Sequence, residues 1–240
     1  MRGGAVSSNT RTMTTSPLTT HTATASAGGV DPGPADRVGR PAALRWLTAI
    51  LMPIGPACVA VIRLVYPPDA ATALANPAIM EAVLWLGFVA TFTLIPGAYA
   101  ALGLLRRPTP RLYLWTGGFL LPGYLAMVTL GFFDMLWAAA PAAGMTVSQV
   151  EALSAATETV GPGPITLLIF VIGHIVGTTL LGVATLKGKL VPTVVAIALI
   201  VSQPLHLVSV IVGLPVLDLF AWGMTALGMA FLAARLVRNA

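Results

Sequence analysis

Two histidines, His174 and His206, and two aspartates, Asp134 and Asp218, lie inside long apolar stretches of the sequence. Imidazole and carboxylate groups are costly to bury among apolar side chains unless they are paired or kept neutral. Imidazole changes its charge near neutral pH, and a neighbouring carboxylate can share its proton or attract a cation. If the fold brings these side chains together, their chemistry is proton relay or cation binding.

The stretches that hold these residues have the composition of membrane spans. Of the 240 residues, 57% are hydrophobic and 9% are charged, whereas a soluble domain has about 25% charged residues. A helix of about 20 apolar residues crosses the hydrocarbon core of a bilayer, so the sequence predicts an all-α polytopic bundle of six transmembrane helices. The predicted spans are about 44–66, 78–105, 112–139, 164–186, 190–212 and 215–235.

Two regions of different composition divide the chain. Residues 1–40 are rich in Ser, Thr, Gly and Ala and have little to bury, which predicts a disordered cytoplasmic tail. Residues 41–240 form the predicted six-helix transmembrane domain. The loop at about 140–163 has Thr146 and Gln149 at capping-box spacing, which predicts a short amphipathic helix on the outer surface, either a linker or a lid.

The basic residues predict the orientation of the bundle. All of the 13 Lys and Arg residues except Arg63 fall on one side of the six predicted spans. By the positive-inside rule we expect a plasma-membrane protein with both termini in the cytoplasm. The net charge is +5, but the basic residues alternate with apolar runs instead of forming one patch, so we expect no nucleic-acid partner.

The depth of the ionisable residues indicates where a site would lie. Counted from the outer span ends at 1.5 Å per residue, Glu81 and Asp218 are about 5 Å deep, Asp134 about 8 Å, His206 about 9 Å and His174 about 15 Å. The ionisable groups are therefore expected in the outer half of the bilayer. A tight "KGK" turn at 187–189 makes the fourth and fifth spans antiparallel neighbours.

Because of that turn, we expect His174 to face Ser202 or Gln203, with His206 about one helical turn further out. Ser202, Gln203 and His206 share one face of the fifth span. The sequence thus predicts a polar intramembrane site. Its predicted members are His174, His206, Gln203, Ser202, Asp134 and Asp218.

Two further contacts are predicted around this site. Gly173 and Gly177 form a GxxxG pair, which favours close approach of the fourth span to the fifth. Arg63 and Glu81 flank the first outer loop symmetrically, and we expect them to form an ion pair at the membrane interface.

The same residues are compatible with three classes of function. We prefer a non-enzymatic protein that binds or moves a proton, cation or small solute through a polar cavity. The alternatives are an accessory or structural subunit of a membrane complex and a membrane-embedded metal or haem redox protein. No GxSxG, HExxH, P-loop or dinucleotide motif is present, so no catalytic residue, metal ligand or cofactor is predicted. Besides the lipid bilayer, the expected partners are the solute or proton and a membrane protein or second copy of this chain.

One segment has a resemblance outside this chain. The stretch "GHIVGTTLLGVATLKGKLVPTVVAIALIVSQPLHLV" at 173–208 resembles segments of small uncharacterised six-span membrane proteins of actinobacteria. The similar features are the Gly-His opening, the basic turn followed by Val-Pro, and the Gln-Pro-Leu-His near the end. This resemblance implies an actinobacterial plasma membrane and carries no activity with it.

Overall fold

A computed structural model describes residues 42–238, and within that range the chain forms eight helices and no strand. The helices are α1 Ala42–Val65, α2 Ala70–Ala75, α3 Pro77–Leu105, α4 Pro110–Ala139, α5 Val147–Thr157, α6 Gly163–Lys187, α7 Thr193–Val212 and α8 Pro215–Arg238. The predicted disordered tail at 1–40 lies outside the described residues.

Six of these helices are long and apolar enough to cross a membrane. The shortest of the six, α7, has 20 residues and therefore spans about 30 Å, the thickness of the hydrocarbon core. Helices are the form expected in lipid because each one satisfies its own backbone hydrogen bonds. The predicted all-α fold with six spans is confirmed, and the chain has the architecture of a multi-pass membrane protein.

The six long helices form a closed ring in which each packs mainly against two neighbours. The order around the ring is α1, α3, α4, α6, α7 and α8, and α8 packs back along α1. Neighbouring helices are antiparallel: in α1, Gly55 lies against Leu94 of α3, whereas Met52 lies against Gly97. The ring encloses one apolar core that includes Tyr124 and Trp222.

The two ends of the ring carry opposite charges. Every acidic residue in the described range lies at or near the end where α1 finishes, which we call the acidic end. These residues are Asp69, Glu81, Asp134, Glu151, Glu158 and Asp218. The Lys and Arg residues of the same range lie at the opposite, basic end, with the exception of Arg63.

The two short helices pack together over part of the acidic end. The predicted helix in the loop is present as α5, and its capping box forms: the Thr146 hydroxyl accepts from Gln149 N, and the Gln149 side chain accepts from Thr146 N. Val150 of α5 is fully buried. Trp137 Nε1 of α4 donates to Ser154 Oγ over 2.9 Å, which ties α5 to the bundle.

The GxxxG pair packs against a different helix from the one predicted. A Cβ on Gly173 would lie 2.6 Å from Gly123 Cα, and one on Gly177 would lie 2.6 Å from Leu120 Cα. Both glycines therefore face α4, and it is Gly182 that packs against α7, at Ile200. Four-residue spacing places two glycines on one helix face, but the rotation of the helix decides which neighbour that face meets.

Candidate functional site

Asp218 is the centre of a polar cluster at the acidic end. Its side chain is fully buried in the first turn of α8, where the helix dipole favours a negative charge. Arg63 Nε in the last turn of α1 donates to Asp218 Oδ2 over 2.5 Å. His206 Nδ1 on α7 lies 2.5 Å from Asp218 Oδ1. One carboxylate therefore joins three helices.

Arg63 is the least buried member of this cluster. Its side chain is 36% exposed, whereas the Asp218 side chain is 0% exposed and the His206 side chain 10% exposed. The Arg63 side chain thus extends from the surface of the acidic end to the buried carboxylate.

His174 lies deeper, on α6, and is 1% exposed. Its Nδ1 is 2.5 Å from the carbonyl oxygen of Phe170. Because a carbonyl only accepts, Nδ1 carries the hydrogen, and Nε2 of the neutral ring is left as an acceptor. No side chain or backbone group within residues 42–238 donates to that Nε2, which is buried.

Trp222 of α8 connects the two imidazoles. Its ring is stacked with His174 at a centroid distance of 5.9 Å and lies edge-on to His206 at 5.6 Å. The two imidazoles are 5.3 Å apart. The indole nitrogen Nε1 is buried, and no acceptor in the described part of the chain reaches it. The three rings form one compact cluster between α6, α7 and α8.

A second hydrogen-bond network lies about one turn further from the acidic end. Gln203 Nε2 donates to Thr225 Oγ1 over 2.9 Å, Thr225 Oγ1 donates to Ser202 Oγ over 3.0 Å, and Ser202 Oγ donates to the carbonyl of Leu199 over 2.9 Å. Gln203 Oε1 is buried without a donor in residues 42–238. This network joins α7 to α8, and the predicted partner His174 forms no hydrogen bond with it.

Asp134 belongs to a separate cluster. Its Oδ1 accepts from the hydroxyl of Tyr66 over 2.5 Å, and the Tyr66 ring packs on Trp137 at a centroid distance of 6.3 Å. Burial raises the pKa of the Tyr66 hydroxyl, and the nearby charge of Asp134 raises it further. Arg63 and Tyr66, three residues apart at the end of α1, each hold one aspartate. The structure therefore places Asp134 outside the group around Asp218.

The predicted ion pair between Arg63 and Glu81 is not the one that forms. Arg63 pairs with Asp218, and Glu81 is exposed on α3. The physical reason is burial: a carboxylate removed from water needs a cationic or hydrogen-bonding partner, whereas an exposed carboxylate is already solvated. The rotation of α1 directs Arg63 toward α8.

The sequence interpretation did not include Trp222, Thr225 or Tyr66 among the site residues. Trp222 and Thr225 follow Asp218 by four and seven residues, the spacing of one helix face. On α8, this spacing was the feature of the sequence that could have indicated Trp222 and Thr225 as site residues. Tyr66, three residues after Arg63, gives a similar signal at the end of α1.

The arrangement suits a proton better than a metal or a haem. No three His, Cys, Asp or Glu side chains within residues 42–238 are grouped so that they could hold a metal ion. A bis-histidine haem needs its imidazoles on opposite faces of the porphyrin, but His174 and His206 are tilted by 60° at 5.3 Å with Trp222 against both. As packed here, the two histidines do not fit that group.

Comparison with known proteins identifies no relative of this chain. No protein-family model, no curated protein and no solved structure matches the chain.

Proposed function

We propose that this multi-pass membrane protein binds and releases a proton at the buried Asp218–His206 pair, reached from the acidic end of the bundle. Arg63 is the entrance of the site, and His174 is its inner end. By the positive-inside rule we infer that the basic end faces the cytoplasm of a plasma membrane and that both termini lie there. The proton is then exchanged with the outer medium.

The observation that carries this proposal is the hydrogen bond between His206 Nδ1 and Asp218 Oδ1, buried between α7 and α8. Imidazole is the side chain that changes charge near neutral pH, and a carboxylate bonded to it takes part in the same titration. An intramembrane ionisable pair is expensive compared with apolar packing. A bundle that needed only cohesion at this position would be served better by apolar side chains.

The unpartnered polar atoms support a role beyond packing. His174 Nε2, Gln203 Oε1 and Trp222 Nε1 are buried in the same region without partners among the described residues. Each such group costs about 1–3 kcal/mol. Of these atoms, His174 Nε2 at the inner end of the Asp218–His206 pair can accept a proton, whereas Gln203 Oε1 can only accept a hydrogen bond and Trp222 Nε1 can only donate one.

The small size of the site favours a proton over a larger solute. The rings of His174, His206 and Trp222 have centroid distances of 5.3–5.9 Å, so their faces and edges are nearly in contact. Binding of an organic solute among them would require the three helices to separate. A proton needs no such movement.

Infrared difference spectroscopy tests the proposal. The purified chain in lipid nanodiscs is stepped from neutral to acid pH, and the acid-minus-neutral spectrum is recorded. We expect imidazole bands that His206→Gln removes and a carboxyl band that Asp218→Asn removes. Glu81→Gln is the matched control, because it removes one exposed carboxyl at the same end and leaves the buried pair intact.

Two results would count against this function. A wild-type spectrum identical to that of His206→Gln would mean that the ring does not titrate and serves only in packing. A preparation that carries a stoichiometric metal or haem absorbance would support the redox alternative instead.

A further inference from the structure

Three polar atoms without partners lie close together between α6, α7 and α8. They are Trp222 Nε1, His174 Nε2 and Gln203 Oε1, and no group within residues 42–238 pairs with any of them. The three residues are 0–1% exposed, so bulk solvent does not reach these atoms. We propose that one buried water molecule binds all three, accepting a hydrogen bond from Trp222 and donating one each to His174 and Gln203.

The contacts of these side chains place them next to one another. The Trp222 and His174 rings have a centroid distance of 5.9 Å. The Gln203 amide is bonded to Thr225 over 2.9 Å, and Thr225 follows Trp222 by three residues on the same face of α8. The amide therefore lies about one helical turn, roughly 5 Å, from the indole. A molecule that bonds each neighbour over about 2.9 Å can join groups at such separations.

The orientation of the rings prevents a direct hydrogen bond between Trp222 and His174. Their planes differ by only 12°. The N–H of an indole lies in the plane of its ring, so it cannot be directed at a nitrogen of a second ring stacked on its face. A molecule at the edges of the two rings is free of this restriction. The bond from Gln203 to Thr225 meanwhile holds the amide in place with its oxygen available as an acceptor.

The combination of one donor and two acceptors matches water better than an ion. A metal cation cannot accept the hydrogen of the indole, and an anion cannot donate to the imidazole and amide acceptors. Water does both, and a buried water makes about three hydrogen bonds to groups that otherwise have no partner. Water is also the smallest such molecule, which suits rings whose centroids are only 5.3–5.9 Å apart.

The water site goes beyond the proposed proton function and does not depend on it. None of its three atoms takes part in the bond between His206 and Asp218. The water holds His174 in the tautomer whose Nδ1 donates to Phe170, and it joins α6 to α7 and α8 on the inner side of that pair. Occupancy of the water site and titration of His206 can therefore be measured separately, and either can fail alone.

Solid-state NMR of the full chain in lipid nanodiscs tests the site. The chain has five tryptophans, which are labelled with ¹⁵N at the indole, and Trp222→Phe assigns the signal of Trp222. Magnetisation is transferred selectively from water to the indole N–H groups at about pH 8, where imidazole is ordinarily neutral. We expect transfer to Trp222 although this residue is only 1% exposed. A wild-type protein without transfer to Trp222 overturns the proposal.

Two variants identify the acceptors. His174→Phe keeps an aromatic ring beside Phe170 and Trp222 but removes the acceptor, and Gln203→Met removes the other. Each should weaken binding of the water roughly fivefold, the contribution of one hydrogen bond, and so reduce the transfer. Thr116→Val is the matched control, because it removes another buried hydroxyl that has no partner within residues 42–238. The proposal is overturned if the transfer is unchanged in the folded variants of His174 and Gln203, or if the control reduces it equally.

Discussion

Replacement of Gly123 by alanine is predicted to destabilise the bundle next to the polar cluster. A Cβ at this position of α4 would lie 2.5 Å from the backbone N of His174 and 2.6 Å from the backbone carbon of Gly173. Carbon atoms in comfortable contact are about 3.5–4.0 Å apart, so α4 and α6 must separate by about 1 Å. Neither atom belongs to a flexible side chain that could move aside.

The size of the effect follows from two opposing contributions. Overpacking of this kind costs about 1–3 kcal/mol, and alanine is favoured over glycine in a helix by up to about 1 kcal/mol. We therefore expect Gly123→Ala to lower the free energy of unfolding by about 1–2 kcal/mol. The displacement of α6 should also move His174 relative to Trp222 and His206.

The assay is reversible unfolding of the reconstituted protein, followed by circular dichroism, with Gly131→Ala as the control. Gly131 lies on the same helix, and a Cβ there would meet no atom within 4 Å. The control should therefore unfold at or slightly above the wild-type midpoint. If Gly123→Ala is as stable as Gly131→Ala, then α4 and α6 do not pack at the described distance, and the position assigned to His174 is wrong.

Two further predictions concern the loop that joins α1 to α3. Tyr66→Phe removes the hydroxyl that donates a hydrogen bond to Asp134 and should lower the free energy of unfolding by about 1–3 kcal/mol. A wild-type free energy of unfolding would mean that solvent replaces this hydrogen bond to the carboxylate. Asp69 caps α2, and its hydrogen bond from Thr72 N lowers the pKa of this exposed carboxyl below its usual range. Because the folded-state pKa is the lower one, the contribution of the cap is present above the unfolded-state pKa and is lost as the pH falls through the folded-state value. The difference in thermal midpoint between wild type and Asp69→Ala should shrink in that acidic range, and a difference that does not change with pH would contradict a charged cap.

The helices could be predicted from the sequence because hydropathy and length determine them directly. Each predicted span differs from its helix by at most three residues at either end, as at the last helix, predicted to end at 235 and observed to end at Arg238. The capping box of α5 could also be read from residue types and spacing alone. These features depend only on residues that lie close together in the sequence.

The contacts between helices could be predicted only in part. Counting residues gives the depth of a side chain in the membrane, but it does not give the rotation of the helix that carries it. Depth placed Asp218 and His206 within one turn of each other, and the structure joins them. It also placed Asp134 nearby, yet that side chain points to Tyr66. A helix turns by about 100° per residue, so two groups at one depth can lie on opposite sides.

The closure of the ring was a second property that local sequence could not supply. Short connections make α6, α7 and α8 neighbours in the order of the sequence. No connection indicates that α8 packs along α1. That contact gives Arg63 its partner. The symmetric spacing of Arg63 and Glu81 about the first loop predicted an ion pair between residues close in the sequence. In the structure, the packing of α8 on α1 pairs Arg63 with Asp218 instead.

The central claim is that the pair of His206 and Asp218 takes up a proton from the acidic end of the bundle. The most direct measurement is nitrogen NMR of ¹⁵N-histidine-labelled protein in nanodiscs from about pH 5 to pH 8, where imidazole changes charge. The chain has three histidines, so His174→Gln and His206→Gln assign the two intramembrane rings. We predict that the His206 nitrogens titrate and that Arg63→Gln alters the titration. Fixed neutral tautomers for both rings over the whole range, unchanged by Arg63→Gln, would contradict the account.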